Sequence, residues 1–169
     1  VMELRMKHNQ FIALSGPRID ESYNVYLERG RVIGNELKEM STLLNNADLN
    51  DEKIKDFDEK LRVGLETLSS SAAGEMRANL ESVALTHLAA GLLYEAANSN
   101  DIEMIESLEK KFFSIIPKMK QLQLVLTYST PENHELVISA TPIFKYGIDE
   151  QSIFTLRILE LKIRGTYST

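Results

Sequence analysis

The stretch YNVYLERGRVIGNELKEMSTLL, residues 23–44, decides the fold class. Tyr23, Tyr26, Gly30, Ile33, Leu37, Met40 and Leu44 recur at alternating steps of three and four, the seam of a helix packed lengthwise against others. Gly and Pro together supply only 12 of 169 residues, and the long segments between them carry apolar residues at the same helical spacing. The expectation is an all-α fold, an elongated antiparallel bundle of four main helices in which residues 1–169 form one domain.

Upstream of the seam, Leu4, Phe11 and Leu14 follow a different phase, and the shift at Gly16 and Pro17 predicts a kink or short break. Downstream, residues 45–50 read as a turn, with Asn50 or Asp51 capping a second helix. Ile54, Phe57, Leu61, Gly64 and Leu68 mark its seam, and past the small-residue patch SSSAAG at 69–74 the stripe resumes through Met76, Leu80, Val83, Leu88 and Leu92. A helix unbroken from 51 to 97 has 47 residues and spans about 70 Å, which makes the expected molecule a rod. Residues 98–101 end that helix and cap a third, whose seam is Ile105, Leu108, Phe112, Ile115, Met119, Leu122 and Leu126. Pro117 lies inside this pattern, and because the stripe continues in phase it predicts a bend and not a stop. The stretch 127–131 closes the helix. A fourth helical region covers 132–141 and 150–166, interrupted by an irregular segment, TPIFKYGID at 141–149, between Pro142 and Gly147. LRILELKIR at 156–164 alternates in part like a strand, with helix the preferred reading.

Nineteen Lys and Arg against 25 Asp and Glu give a net charge of −6, with 43% apolar and 7% aromatic residues. That acid excess argues against a nucleic-acid partner, whose affinity rests on many cations neutralising phosphates. With no cysteine there are no thiol nucleophiles, cysteine-based zinc or iron–sulfur sites, or disulfides, and cytoplasm and periplasm both stay open. LAAGLLY at 88–94, the longest near-apolar run, is far short of the roughly 18 residues that span a bilayer. The 169 residues contain no signal-peptide pattern, and helical periodicity begins at once from Val1, so the chain is expected to be a piece of a longer protein.

Chemistry-bearing motifs are absent. His8, His87 and His134 lie on separate segments without HExxH or HxH spacing and read as packed or surface imidazoles, so no metal is expected. Asp48, Asn50, Glu52 and Glu59 fall at positions 1, 3, 5 and 12 of a calcium loop, but position 6 is Lys53 where the turn needs glycine, and helix capping already accounts for the acids. There is no GxSxG, no SxxK with partners, no P-loop and no GxGxxG. The residues therefore predict no catalytic group and no cofactor. Two candidate sites remain. Arg18, Arg29 and Arg31, near Tyr23 and Tyr26, would hold a carboxylate between helices if they are not simply solvated. Ile143, Phe144 and Tyr146, apolar side chains on the expected irregular segment, either fold back on the bundle or meet a protein partner.

Three stretches taken together carry a resemblance: THLAAGLLYEAANSND at 86–101, ESLEKKF at 106–112 and IFTLRILELKIR at 153–164. An apolar helix closing in an Ala-Asn-rich turn, a helix with Leu-x-x-x-Phe, and Phe-x-Leu-Arg-x-x-Glu-Leu resemble the periplasmic sensor region of TorS-type histidine kinases. The resemblance implies a helical-bundle sensor between two transmembrane helices of an inner-membrane receptor, a homodimer in the parent protein. It further implies that trimethylamine N-oxide is sensed through a TorT-like periplasmic binding protein docked on the bundle. Related bimodular bundles in chemoreceptors bind small organic acids directly, and for that alternative Arg18 to Arg31 is the expected site.

Overall fold

The computed structural model describes residues 1–44, 50–68, 73–127 and 131–165, and every regular element among them is a helix. In chain order these are α1 (Met2–Leu44), α2 (Asp51–Thr67), α3 (Ala73–Asn98), α4 (Ile102–Thr127), α5 (Pro131–Ile148) and α6 (Ile153–Arg164). The all-α expectation holds, and no strand occurs among the described residues, LRILELKIR included. The expected helix from 51 to 97 is helical on both sides of its small-residue patch, of which residues 69–72 lie outside the described residues.

Several boundaries follow from capping. Asn50 stands at the N-cap of α2, its side-chain oxygen accepting from Lys53 N–H at 3.0 Å. Residues 45–49 of the turn before it lie outside the described residues. Between α3 and α4, Asp101 Oδ1 accepts from Glu103 N–H and takes up one free donor of the new helix, while Ser99 Oγ accepts from Asp101 N–H and holds the capping residue in place. Ser152 does the same for α6 by accepting from Thr155 N–H, and Gly165 at φ 66° ends that helix in the left-handed conformation that glycine adopts without strain.

At Pro117 the helix continues without a stop, as its in-phase stripe predicts. Two other prolines correct the sequence reading: α1 runs on through Pro17, the site of an expected kink or short break, so the chain is not broken there, and α5 runs on through Pro142 across the segment expected to be irregular. An internal proline removes the hydrogen bond to the carbonyl four residues earlier. Those carbonyls belong to Ala13, Phe113 and Ile138, all three exposed, where water can donate in place of the missing N–H. Pro131 opens α5, the helix position at which a missing N–H costs nothing.

The chain divides into two compact units, one of Val1–Arg18 with Ala78–Thr169 and one of Ile19–Arg77. In the first, Arg5 and His8 of α1 lie against Tyr94 of α3 while Phe11 lies against His87, so the two helices are antiparallel. The core is filled by Leu4 and Phe11, by Ile105, Leu108, Phe112, Met119 and Leu122 of α4, by Leu136, Ile143 and Phe144 of α5 and by Phe154 and Leu161 of α6. α3 enters this core with Asn79, Ser82, Thr86, Ala89, Leu93 and Ala96, all buried at steps of three and four. Leu80 and Leu88, expected in its stripe, are exposed instead. Small side chains let neighbouring backbones approach closely, so this face packs although Asn79, Ser82 and Thr86 make half of those six side chains polar.

The second unit is built differently. Ile33 is buried, Tyr26 and Gly30 are half-buried, and Tyr23 and Leu37 are exposed, while α2 buries no residue. The side chains of Met40 and Leu44, the end of the expected seam, lie outside the described residues. Gly64 permits the close approach at Ile33: a Cβ there would lie 3.3 Å from Ile33 Cγ1.

Candidate functional site

Polar groups converge at two places in the first unit. Leu4, His8, Phe11 and Ser15 form the inward stripe of α1, at steps of four, three and four, which carries the His8 imidazole toward α3. There His8 Nε2 and His87 Nδ1 stand 2.8 Å apart, with ring centroids 5.1 Å apart and planes at 62°. The Tyr94 hydroxyl, two helical turns along α3, lies 3.4 Å from His8 Nδ1. The Arg5 guanidinium carbon lies 6.0 Å from the Tyr94 ring centroid, and Phe11 meets the His87 ring edge-on at 5.7 Å. Burial, which disfavours the charged ring, and then the neighbouring His87, which disfavours a like charge beside it, hold the His8 imidazole below its ordinary value.

Arg157 of α6 makes the other convergence. Its Nε donates to the Ser99 carbonyl at 2.9 Å, one terminal nitrogen to Asn100 Oδ1 at 2.8 Å and the other to Glu160 Oε2 at 3.0 Å. The guanidinium thereby ties α6 to the turn between α3 and α4, and its side chain is only 14% exposed. Arg157→Met, which keeps the length and removes the donors, is expected to destabilise the first unit by about 1.5–3 kcal/mol, because hydrogen bonds to a charged group are lost where water is largely excluded. Urea denaturation checks this, together with faster amide exchange at 99–101.

The sequence-derived candidates fare differently. Ile143 and Phe144 lie on helix and are buried in the core, with the Phe144 ring 5.8 Å from that of Phe112, so the fold-back alternative describes them. Tyr146 is half-buried and donates to Glu3 Oε2 of α1 at 3.2 Å. Burial, the Glu3 charge and this hydrogen bond hold its hydroxyl above the ordinary tyrosine value. Beside it, Pro142, Lys145, Tyr146, Asp149 and Gln151 line an open depression of about 350 Å³. Of the arginine and tyrosine group, Arg18 belongs to the first unit and Tyr23, Tyr26, Arg29 and Arg31 to the second. Arg31 is exposed and pairs with Glu28 at 2.8 Å, a solvated helix-face pair.

Among the described residues no group of three or more His, Cys, Asp or Glu is placed to hold a metal ion. Asp48 of the calcium-loop pattern lies outside them, and Asn50, Glu52 and Glu59 share an open depression of about 490 Å³ with Lys53, Lys55 and Asp56, the last paired with Lys60 at 3.4 Å. No described helix is long and apolar enough to cross a membrane. The His8–His87 pair escaped the sequence reading because its partners are 79 residues apart. The one local signal was His8 standing four residues after Leu4 and three before Phe11, on the inward stripe.

No known protein family, no curated protein and no solved structure matches this chain.

Proposed function

We propose that the chain is the extracytoplasmic signal-input domain of a TorS-type two-component sensor histidine kinase, responding to trimethylamine N-oxide through a TorT-like periplasmic binding protein. The reading places it on the periplasmic side of the bacterial inner membrane, in a homodimeric parent receptor, with no catalytic activity of its own. Antiparallel four-helix packing is the architecture it assigns to the domain, and shear of packed helices is the means of relay.

One observation carries the reading beyond the all-helical fold. The three stretches that resemble the family, 86–101, 106–112 and 153–164, are separated in sequence and packed together in the first unit. Arg157 of the last bonds Ser99 and Asn100 of the first, and Phe154 of the last stacks edge-on with Phe112 of the second at a centroid separation of 5.4 Å. Residues that act jointly in one arrangement support treating the resemblance as one pattern and not three coincidences.

Calorimetry tests the proposal. The chain is expected to give no heat with trimethylamine N-oxide or with dicarboxylates, and to bind a TorT-like protein. Tyr146→Ala is expected to weaken that complex by about 30-fold, the equivalent of an anchor of about 2 kcal/mol. No binding by the TorT-like protein overturns the reading. Micromolar binding of a dicarboxylate to the chain alone, lost in Arg29→Ala, replaces it with direct capture.

A further inference from the structure

We propose that the His8–His87 contact is an acid-sensitive latch between α1 and α3, closed while the pair holds at most one extra proton and opened when both rings are protonated. A separation of 2.8 Å between His8 Nε2 and His87 Nδ1 requires a proton on one nitrogen and a lone pair on the other. Two chains satisfy every group: Tyr94 O–H donates to His8 Nδ1 and His8 Nε2–H to His87 Nδ1, or, reversed, His87 Nδ1–H donates to His8 Nε2 and His8 Nδ1–H to the Tyr94 oxygen. One added proton fits, because His8 Nδ1 can turn from acceptor to donor toward the Tyr94 oxygen. A second does not, because it sets two N–H groups and two positive charges against each other.

The surroundings give that second charge no relief. α1 contributes Arg5, a further cation beside Tyr94, and Phe11; α3 contributes the Tyr94 hydroxyl. Neither α4, α5 nor α6 sets a hydrogen-bonded or ion-paired group against either ring among the described residues. With no carboxylate hydrogen-bonded or ion-paired to either ring among the described residues, the doubly protonated pair must separate and hydrate. The direction of titration follows from linkage. His8 is held below its ordinary value in the closed state, so the open state binds more protons. The latch is complete above an ordinary histidine value of about 6.5 and weakens as pH falls toward the second step of the pair. It is a property of the fold and does not rest on the sensor reading.

The test uses the full chain carrying His134→Gln, so that the pair supplies the only imidazoles. Nuclear magnetic resonance titration from pH 7.5 to 4.5 is expected to give two coupled steps, the lower of them below the ordinary histidine range. Amide exchange over residues 2–18, corrected for its intrinsic pH dependence, is expected to rise about tenfold per pH unit between 6.5 and that second step. In His8→Gln/His87→Gln the rise is absent. Two independent steps near 6.5 with unchanged exchange overturn the proposal, as does the same acid response in the double variant. Should the double variant fail to fold, His87→Phe keeps the ring against Phe11 and removes the second charge. Persistence of the acid response in it is equally fatal.

Discussion

Replacing Phe112 by alanine is expected to remove about 3–5 kcal/mol of unfolding free energy, the cost of deleting a fully buried aromatic ring from a core that collapses only in part. Phe112 is the hub of the first unit. Its ring has no exposed surface and stands 5.7, 5.8 and 5.4 Å from those of Phe113, Phe144 and Phe154, so it joins α4 to both α5 and α6. These are edge-to-face and tilted contacts, each adding to the area term. The loss should be local. Urea denaturation measures the total, and amide exchange should show protection falling across α4, α5 and α6 while residues 19–44, in the other unit, keep theirs. A total loss below about 1 kcal/mol would mean that the aromatic cluster does not hold the unit together.

Helix was legible from spacing alone, and so were the caps, because Asn50 and Asp101 act on donors two or three residues away. What failed to read out was which face of each helix is covered. The seam from Tyr23 to Leu44 has the cleanest periodicity in the chain, yet Tyr23 and Leu37 stand exposed. Periodicity reports that a stripe exists, not that this chain supplies enough partners to bury it. α3 errs the other way. Asn79, Ser82 and Thr86 share a buried face with Ala89, Leu93 and Ala96, a seam that a search for large apolar residues passes over. The break allowed for at Pro17 and the irregular segment expected at Pro142 do not occur for a related reason: a proline's cost depends on whether the carbonyl four residues earlier reaches water, and exposure is a property of the fold. The site was illegible for a simpler reason. His8 meets His87, Arg157 meets Ser99, and Tyr146 meets Glu3 across 79, 58 and 143 residues, and no local pattern encodes such distances.

Gly147→Ala is expected to destabilise the first unit by about 2 kcal/mol or more, although alanine is the better helix former by about 1 kcal/mol. Gly147 lies near the end of α5 with the Phe112 ring against its α-carbon. A Cβ there would come within 2.4, 2.5 and 2.9 Å of three ring carbons, closer than real side-chain atoms approach. The ring has no easy retreat, since Phe113, Phe144 and Phe154 surround it. Either the ring leaves its rotamer or α5 moves away from α4, and each costs more than the gain in helix propensity. Gly91 of α3 provides the contrast, because a Cβ there meets nothing within 4 Å. Gly91→Ala is expected to stabilise by about 0.5–1 kcal/mol, the propensity gain unopposed. A double-mutant cycle then isolates the clash. In Phe112→Leu the flat ring is replaced by a shorter, branched side chain, so Gly147→Ala added to that background should cost at least about 1 kcal/mol less than in the native chain. Additive losses would place the penalty in the α5 backbone and not in the meeting of Gly147 with Phe112.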